Sequence, residues 1–210
     1  MIDWIPNWIP KKVSGVYIVE NALPRIVFRQ ENETIPVFAL DQTRVTEFHV
    51  RDALAIHRDL RFIVNATKEA LYDGDALGLC EQQKVGLGEL GELVSFLDGT
   101  PRNHIQRDAR FVLRSLRQHS LVESVTRENN RMYVVRCRSH SKMRVLVLHD
   151  YLVTADSVRN GLETFGVPNV IAKANPNGTI TNEAMDAAKS AGLEVLTWAE
   201  LFRSLSKQWT

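Results

Sequence analysis

Two spacings of apolar residues alternate along this chain. Val16 to Val19, Arg25 to Gln30 and Ile35 to Leu40 are short β-rich runs between polar turns, and they predict strands. The spacing then lengthens. Val50 and Leu54 lie four apart behind Thr46, which predicts a Thr-capped helix with one packed face. Arg61 to Val64 predicts a buried strand, Asp73 the cap of a second helix, and Val85 to Leu87 a brief strand. A closing helix ends near Leu97. The order is β-β-β-α-β-α-β-α.

The same order returns in the second half. Val122 to Thr126, Met132 to Cys137 and Arg144 to Leu148 predict strands, followed by a helix capped by Thr154 with Val158 and Leu162 on one face. Asn169 to Ala172 and Leu193 to Leu196 predict two more strands. Thr181 is a cap, and Gly192 is the residue just past a helix end.

Shifted by about 108 positions, the halves align without a gap. Val45-Thr46-x-x-x-Val50-Arg51-x-x-Leu54 falls on Val153-Thr154-x-x-x-Val158-Arg159-x-x-Leu162. Glu92-Leu93 falls on Glu200-Leu201. Roughly 16 of 90 positions agree, against about 5 expected by chance. The expected fold class is therefore α/β, with two similar units related by internal duplication and joined by a basic helix. Residues 1–102 form the first unit, with a Trp/Pro arm. Residues 103–210 form the second, which begins with that helix. Pro101 suits a first helical turn, and Ile105, Ala109, Val112, Leu113 and Leu116 make an apolar stripe.

Net charge is only +1, which taken alone argues against a dedicated nucleic-acid binder. Its distribution changes that picture. Eleven Lys/Arg face three Asp/Glu between Arg102 and Arg144. Arg102, Arg107, Arg110, Arg114 and Arg117 decorate the predicted helix, where they suit a phosphate backbone or an acidic partner. Arg51 and Arg159 match between the halves and suit either symmetric phosphate contacts or local ion pairs. The same region also reads as a winged helix. Its recognition helix would be Ile105 to His119, offering Gln106, Arg110, Arg114 and Arg117, and its wing would turn at Glu128-Asn129-Asn130.

Trp4-Ile5-Pro6-Asn7-Trp8-Ile9-Pro10 cannot be a regular helix, since Pro6 and Pro10 interrupt it. Its two tryptophans either cover the protein's own core or dock on another chain. There is no apolar run long enough to span a bilayer and no signal-like start. Cys80 and Cys137 are far apart, so a cytoplasmic protein with reduced thiols is expected.

The stretch Val170-Ile171-Ala172-Lys173, Thr179-Ile180-Thr181-Asn182-Glu183-Ala184, Ala187-Ala188, Gly192-Leu193-Glu194-Val195-Leu196 and Leu201 resembles the tail of Mrr-type restriction-endonuclease-like domains. The preceding helix, β-meander, helix and strand are also similar to that fold. The resemblance implies an acid on one strand and an acid-x-Lys on the next, holding a divalent metal that activates water. This sequence departs from that pattern. Val37-Phe38-Ala39-Leu40 and Val145-Leu146-Val147-Leu148 are wholly apolar, and the strands before them carry no acid. The expectation is a pair of pseudo-nucleases with no catalytic residue, no metal and no cofactor.

Three further groups of residues carry candidate chemistry. Asp41 and Asp150, at matched strand ends with Gln42 and His149, are candidate displaced acids. Asn175-Pro176-Asn177-Gly178 is a turn, with a phosphate nest as its alternative. His57, His104, His119 and His140 show no ligand spacing. The leading expectation is a non-catalytic nucleic-acid-associated protein, a pseudo-nuclease pair binding the DNA backbone as a subunit of a DNA-handling or defence complex. The alternatives are a protein-interaction scaffold docking through Trp4 and Trp8, a winged-helix regulator, and a divergent metal-dependent nuclease.

Overall fold

The computed structural model describes residues 2–99, 104–138 and 142–206. The chain is α/β throughout and divides into two compact units, Met1–Arg107 and Asp108–Thr210. The division falls inside the first turn of the basic helix rather than at 102/103.

The first unit opens with α1 (Ile5–Trp8) and a 3₁₀ turn (Ile9–Lys11). The expectation that the prolines forbid a helix here is corrected. Each proline sits in the first turn of a short helical piece, where a missing N–H costs nothing. A meander follows: β1 (Val16–Ala22), β2 (Arg25–Gln30) and β3 (Glu33–Leu40). Then come β4 (Arg44–Val45), α2 (Glu47–Ile56), β5 (Phe62–Asn65), β6 (Leu71–Tyr72), α3 (Gly74–Gln83), β7 (Gly86–Glu89) and α4 (Leu90–Asp98). The main sheet runs β1-β2-β3-β5-β7, and β2 alone runs against the direction of the other four strands.

The second unit contains α5 (Arg107–Arg117), β8 (Val122–Arg127), β9 (Met132–Cys137) and β10 (Lys142–Leu148). It continues with β11 (Leu152–Val153), α6 (Ala155–Phe165), β12 (Val170–Lys173), β13 (Thr179–Ile180), α7 (Asn182–Ser190), β14 (Val195–Thr197) and α8 (Trp198–Ser204). Its sheet runs β8-β9-β10-β12-β14, the same order with the same single antiparallel strand.

Alternation along the buried strands gives each sheet two apolar faces. Val37, Ala39, Phe62 and Val64 pack with Ile5, Ile9, Leu93 and Leu97 on one side of the first sheet. Phe38, Ile63 and Leu87 pack with Val50, Ala53 and Leu77 on the other. In the second unit Leu146, Leu148 and Ile171 meet Val158 of α6 and Ala184 and Ala188 of α7. The opposite face, with Val145, Val147, Val170 and Ala172 wholly buried, carries α5 and α8.

The parallel half keeps one register in both units. Val37 pairs with Phe62 and Val145 with Val170; Ile63 pairs with Leu87 and Ile171 with Val195. Each pair is displaced by 108 residues from its counterpart, and so is Arg44–Leu71 from Leu152–Thr179. The meander does not follow suit. Val37 faces Ile26, whereas Val145 faces Tyr133, one residue short of the same displacement.

Candidate nucleic-acid interface

Helix α5 exists because its apolar residues recur three and four apart. Ala109, Val112, Leu113 and Leu116 are buried against the second sheet. At about 100° per residue, Arg107, Arg110, Arg114 and Arg117 fall within an arc of about 80° on the other side. All four are exposed. Arg114 and Arg117 lie in the last turn, where the helix dipole favours positive charge. Arg117 also reaches the Val125 carbonyl, Nη2 to O 3.4 Å. Arg102 lies outside the described residues.

What sets this stripe apart is that four arginines without a carboxylate partner share one helix face. Arg25, Arg44, Arg51, Arg61, Arg144 and Arg159 each pair with a carboxylate. Among the described residues, none of the four α5 arginines does. The matched pair behaves differently from the stripe. Arg51 holds Glu47 at 2.5 Å and Arg159 holds Asp156 at 3.1 Å, each an acid in the first turn of its own helix. Arg159 also sits on α6, across the sheet from α5.

Two expectations for this region change. Gln106 is not a groove-facing side chain of the helix: it precedes α5, and its Nε2 donates to the Leu87 carbonyl at 2.8 Å. The hairpin β8–β9, expected as a wing, is two strands of the five-stranded sheet on which α5 packs.

An aromatic cluster that sequence reasoning missed adjoins the stripe. Phe111 of α5 is 45% exposed, and its ring centroid lies 5.7 Å from that of Trp198 of α8. Trp198 meets Phe202 edge-on at 5.6 Å, and Phe202 stacks on His119 at 5.3 Å with planes 3° apart. These rings come from segments nearly 90 residues apart, so no local spacing announces them.

The strand ends tell a different story. The strands where the nuclease pattern needs acids are buried and apolar, from Ile35 to Ala39 and from Val145 to Leu148. Asp41 accepts from Thr67 Oγ1 at 2.8 Å. His149 Nδ1 lies 3.6 Å from Asp108 Oδ2. Burial, then Arg131, pushes the His149 imidazole down to about 4, against the pull of Asp108 and Asp150. No group of three or more metal-ligating side chains occurs among the described residues.

Asn65 and Lys173, at matched strand ends, are both buried and both tie down loops. The Asn65 amide bridges the Gln42 backbone, receiving its N–H at 2.9 Å and donating to its carbonyl at 2.8 Å. The Lys173 ammonium donates to the carbonyls of Asn175 and Asn177. Around it Asn175 Oδ1 accepts from Asn177 N–H, and Gly178 takes φ +77°. A Cβ there would lie 1.8 Å from the Tyr151 carbonyl oxygen. This is a turn, and Thr181 Oγ1 already accepts from Ala184 N–H in the first turn of the following helix.

In the N-terminal arm Ile5 and Ile9 are wholly buried, while Trp4 is 42% exposed and edge-on to Trp8 at 6.1 Å.

No family model, no curated protein and no solved structure matches this chain.

Proposed function

We propose that this is a non-catalytic nucleic-acid-associated protein that grips the phosphate backbone through α5. The observation that carries this is the row of four exposed arginines on one helix face, none of which pairs with a carboxylate among the described residues. A cationic row of this kind repels itself until a polyanion arrives, and each phosphate it neutralises releases counterions.

In this reading the two units are copies of one nuclease-like module that has lost its chemistry. The shared strand order and the common 108-residue displacement of the parallel half support descent by duplication. The succession of helix, meander, helix, strand, capped helix, strand and helix supports the likeness to restriction-endonuclease-like domains. The apolar residues where that chemistry needs acids support a pseudo-enzyme.

The test is an oligonucleotide titration at two salt concentrations, comparing wild type with Arg110→Glu/Arg114→Glu. Wild type should bind with steep salt dependence. The variant should lose more than tenfold in affinity, and its log–log salt slope should fall by about 2. Absence of wild-type binding at low salt removes the proposal. Magnesium- or manganese-dependent cleavage that disappears in Asp41→Ala or Asp150→Ala would replace it with an active nuclease.

A second reading rests on Trp4. A tryptophan left 42% exposed beside a second tryptophan suits a protein-docking arm. A complex that survives high salt and is lost in Trp4→Ala would favour it.

A further inference from the structure

Phe111 borders the charged stripe, about 40° beyond Arg107 around the helix. It follows Arg107 by four residues and precedes Arg114 by three, so both guanidinium groups flank it on the helix surface. Nearly half of the side chain is open to solvent, yet the ring is not loose. Trp198 backs it at 5.7 Å, and Phe202 and His119 back Trp198 in turn. The result is a rigid aromatic surface held level with a row of unpaired cations. Duplex nucleic acid has little use for such a surface, because its bases are already stacked on one another. A single strand offers free base faces beside its phosphates, and stacking on protein aromatics is how they bind without sequence preference.

We infer that α5 takes single-stranded nucleic acid, with a base stacked on Phe111 and the flanking phosphates on Arg107, Arg110 and Arg114. This rests on the nucleic-acid reading above and specifies its ligand. The charge complementarity is that of any polyanion; the exposed, buttressed ring makes the choice between one strand and two.

The experiment compares a mixed-sequence single-stranded oligonucleotide with the duplex of the same length, at one low salt concentration. The proteins are wild type, Phe111→Leu, Phe111→Tyr and Arg110→Glu/Arg114→Glu. Leucine keeps apolar bulk against Trp198 but has no π face; thermal melts establish that the variants remain folded. The expected result has wild type preferring the single strand. Phe111→Leu should lose about tenfold on the single strand and little on the duplex, and Phe111→Tyr should keep wild-type affinity. Equal single-strand binding by wild type and Phe111→Leu, with binding lost in the arginine variant, overturns the inference and leaves the parent reading standing. Equal losses on both ligands in Phe111→Leu also overturn it, since they mark a role in packing alone. Unimpaired binding by the arginine variant overturns the parent reading itself.

Discussion

The side-chain amide of Gln106 closes the outer edge of the first sheet by donating to the Leu87 carbonyl. In a parallel pair alternate residues face the neighbouring strand, and Leu87 is one that faces away from β5. Its carbonyl would otherwise end the ladder unpaired. Gln106→Ala should therefore cost about 1 kcal/mol in urea unfolding and leave oligonucleotide affinity unchanged. A loss of affinity at constant stability would mean that the residue touches nucleic acid instead.

A backbone asymmetry between matched positions gives a second prediction. Lys84 and Gly192 both follow a helix with positive φ, +56° and +72°. Lysine strains there and glycine does not. Lys84→Gly should raise stability by about 1 kcal/mol, and Gly192→Ala should lower it by a similar amount. Chemical denaturation of the two variants measures both signs.

Acid titration should find His149. Its pKa in the folded protein, about 4, lies below its ordinary 6.5, so between those values the unfolded chain binds the extra proton. Stability is then full above about pH 6.5 and falls as pH drops toward 4, by no more than about 3 kcal/mol from this group. Urea midpoints across that window should flatten in His149→Gln.

A smaller acid effect belongs to Asp59. Arg25 holds it in a two-pronged pair, both N–O distances 2.9 Å, and keeps its carboxyl below the usual carboxylate range. The contribution is present above the unfolded carboxyl's pKa and is lost as pH falls through the lower folded value. Asp59 is more than half exposed, so Asp59→Asn should cost only about 0.5 kcal/mol at pH 7. The difference between variant and wild type should vanish in strong acid.

Much of the framework was legible in the sequence because it rests on local signals. Thr154 accepts from Ser157 N–H and Thr181 from Ala184 N–H, as their places before apolar-periodic runs imply. β2 and β9 span the residues expected of them. The two-residue ladders β4–β6 and β11–β13 were invisible, since two residues carry no period. The arm departs from its sequence reading because Pro6 and Pro10, which interrupt one long helix, instead start two short ones. At the interface, the arginine stripe follows from helical spacing alone. Its freedom from counter-ions does not, because that depends on where distant carboxylates come to rest. The Phe111–Trp198 contact and the Gln106–Leu87 bond share that dependence.

The outward carbonyl that Gln106 meets recurs in the second unit at Val195, which faces away from β12 as Leu87 faces away from β5. Among the described residues nothing takes it up. In the first unit the donor is Gln106, just ahead of α5. Two sheets of one strand order thus differ at their last outward carbonyl: one is capped by a side-chain amide, and the other is left to solvent or to a donor outside the described residues.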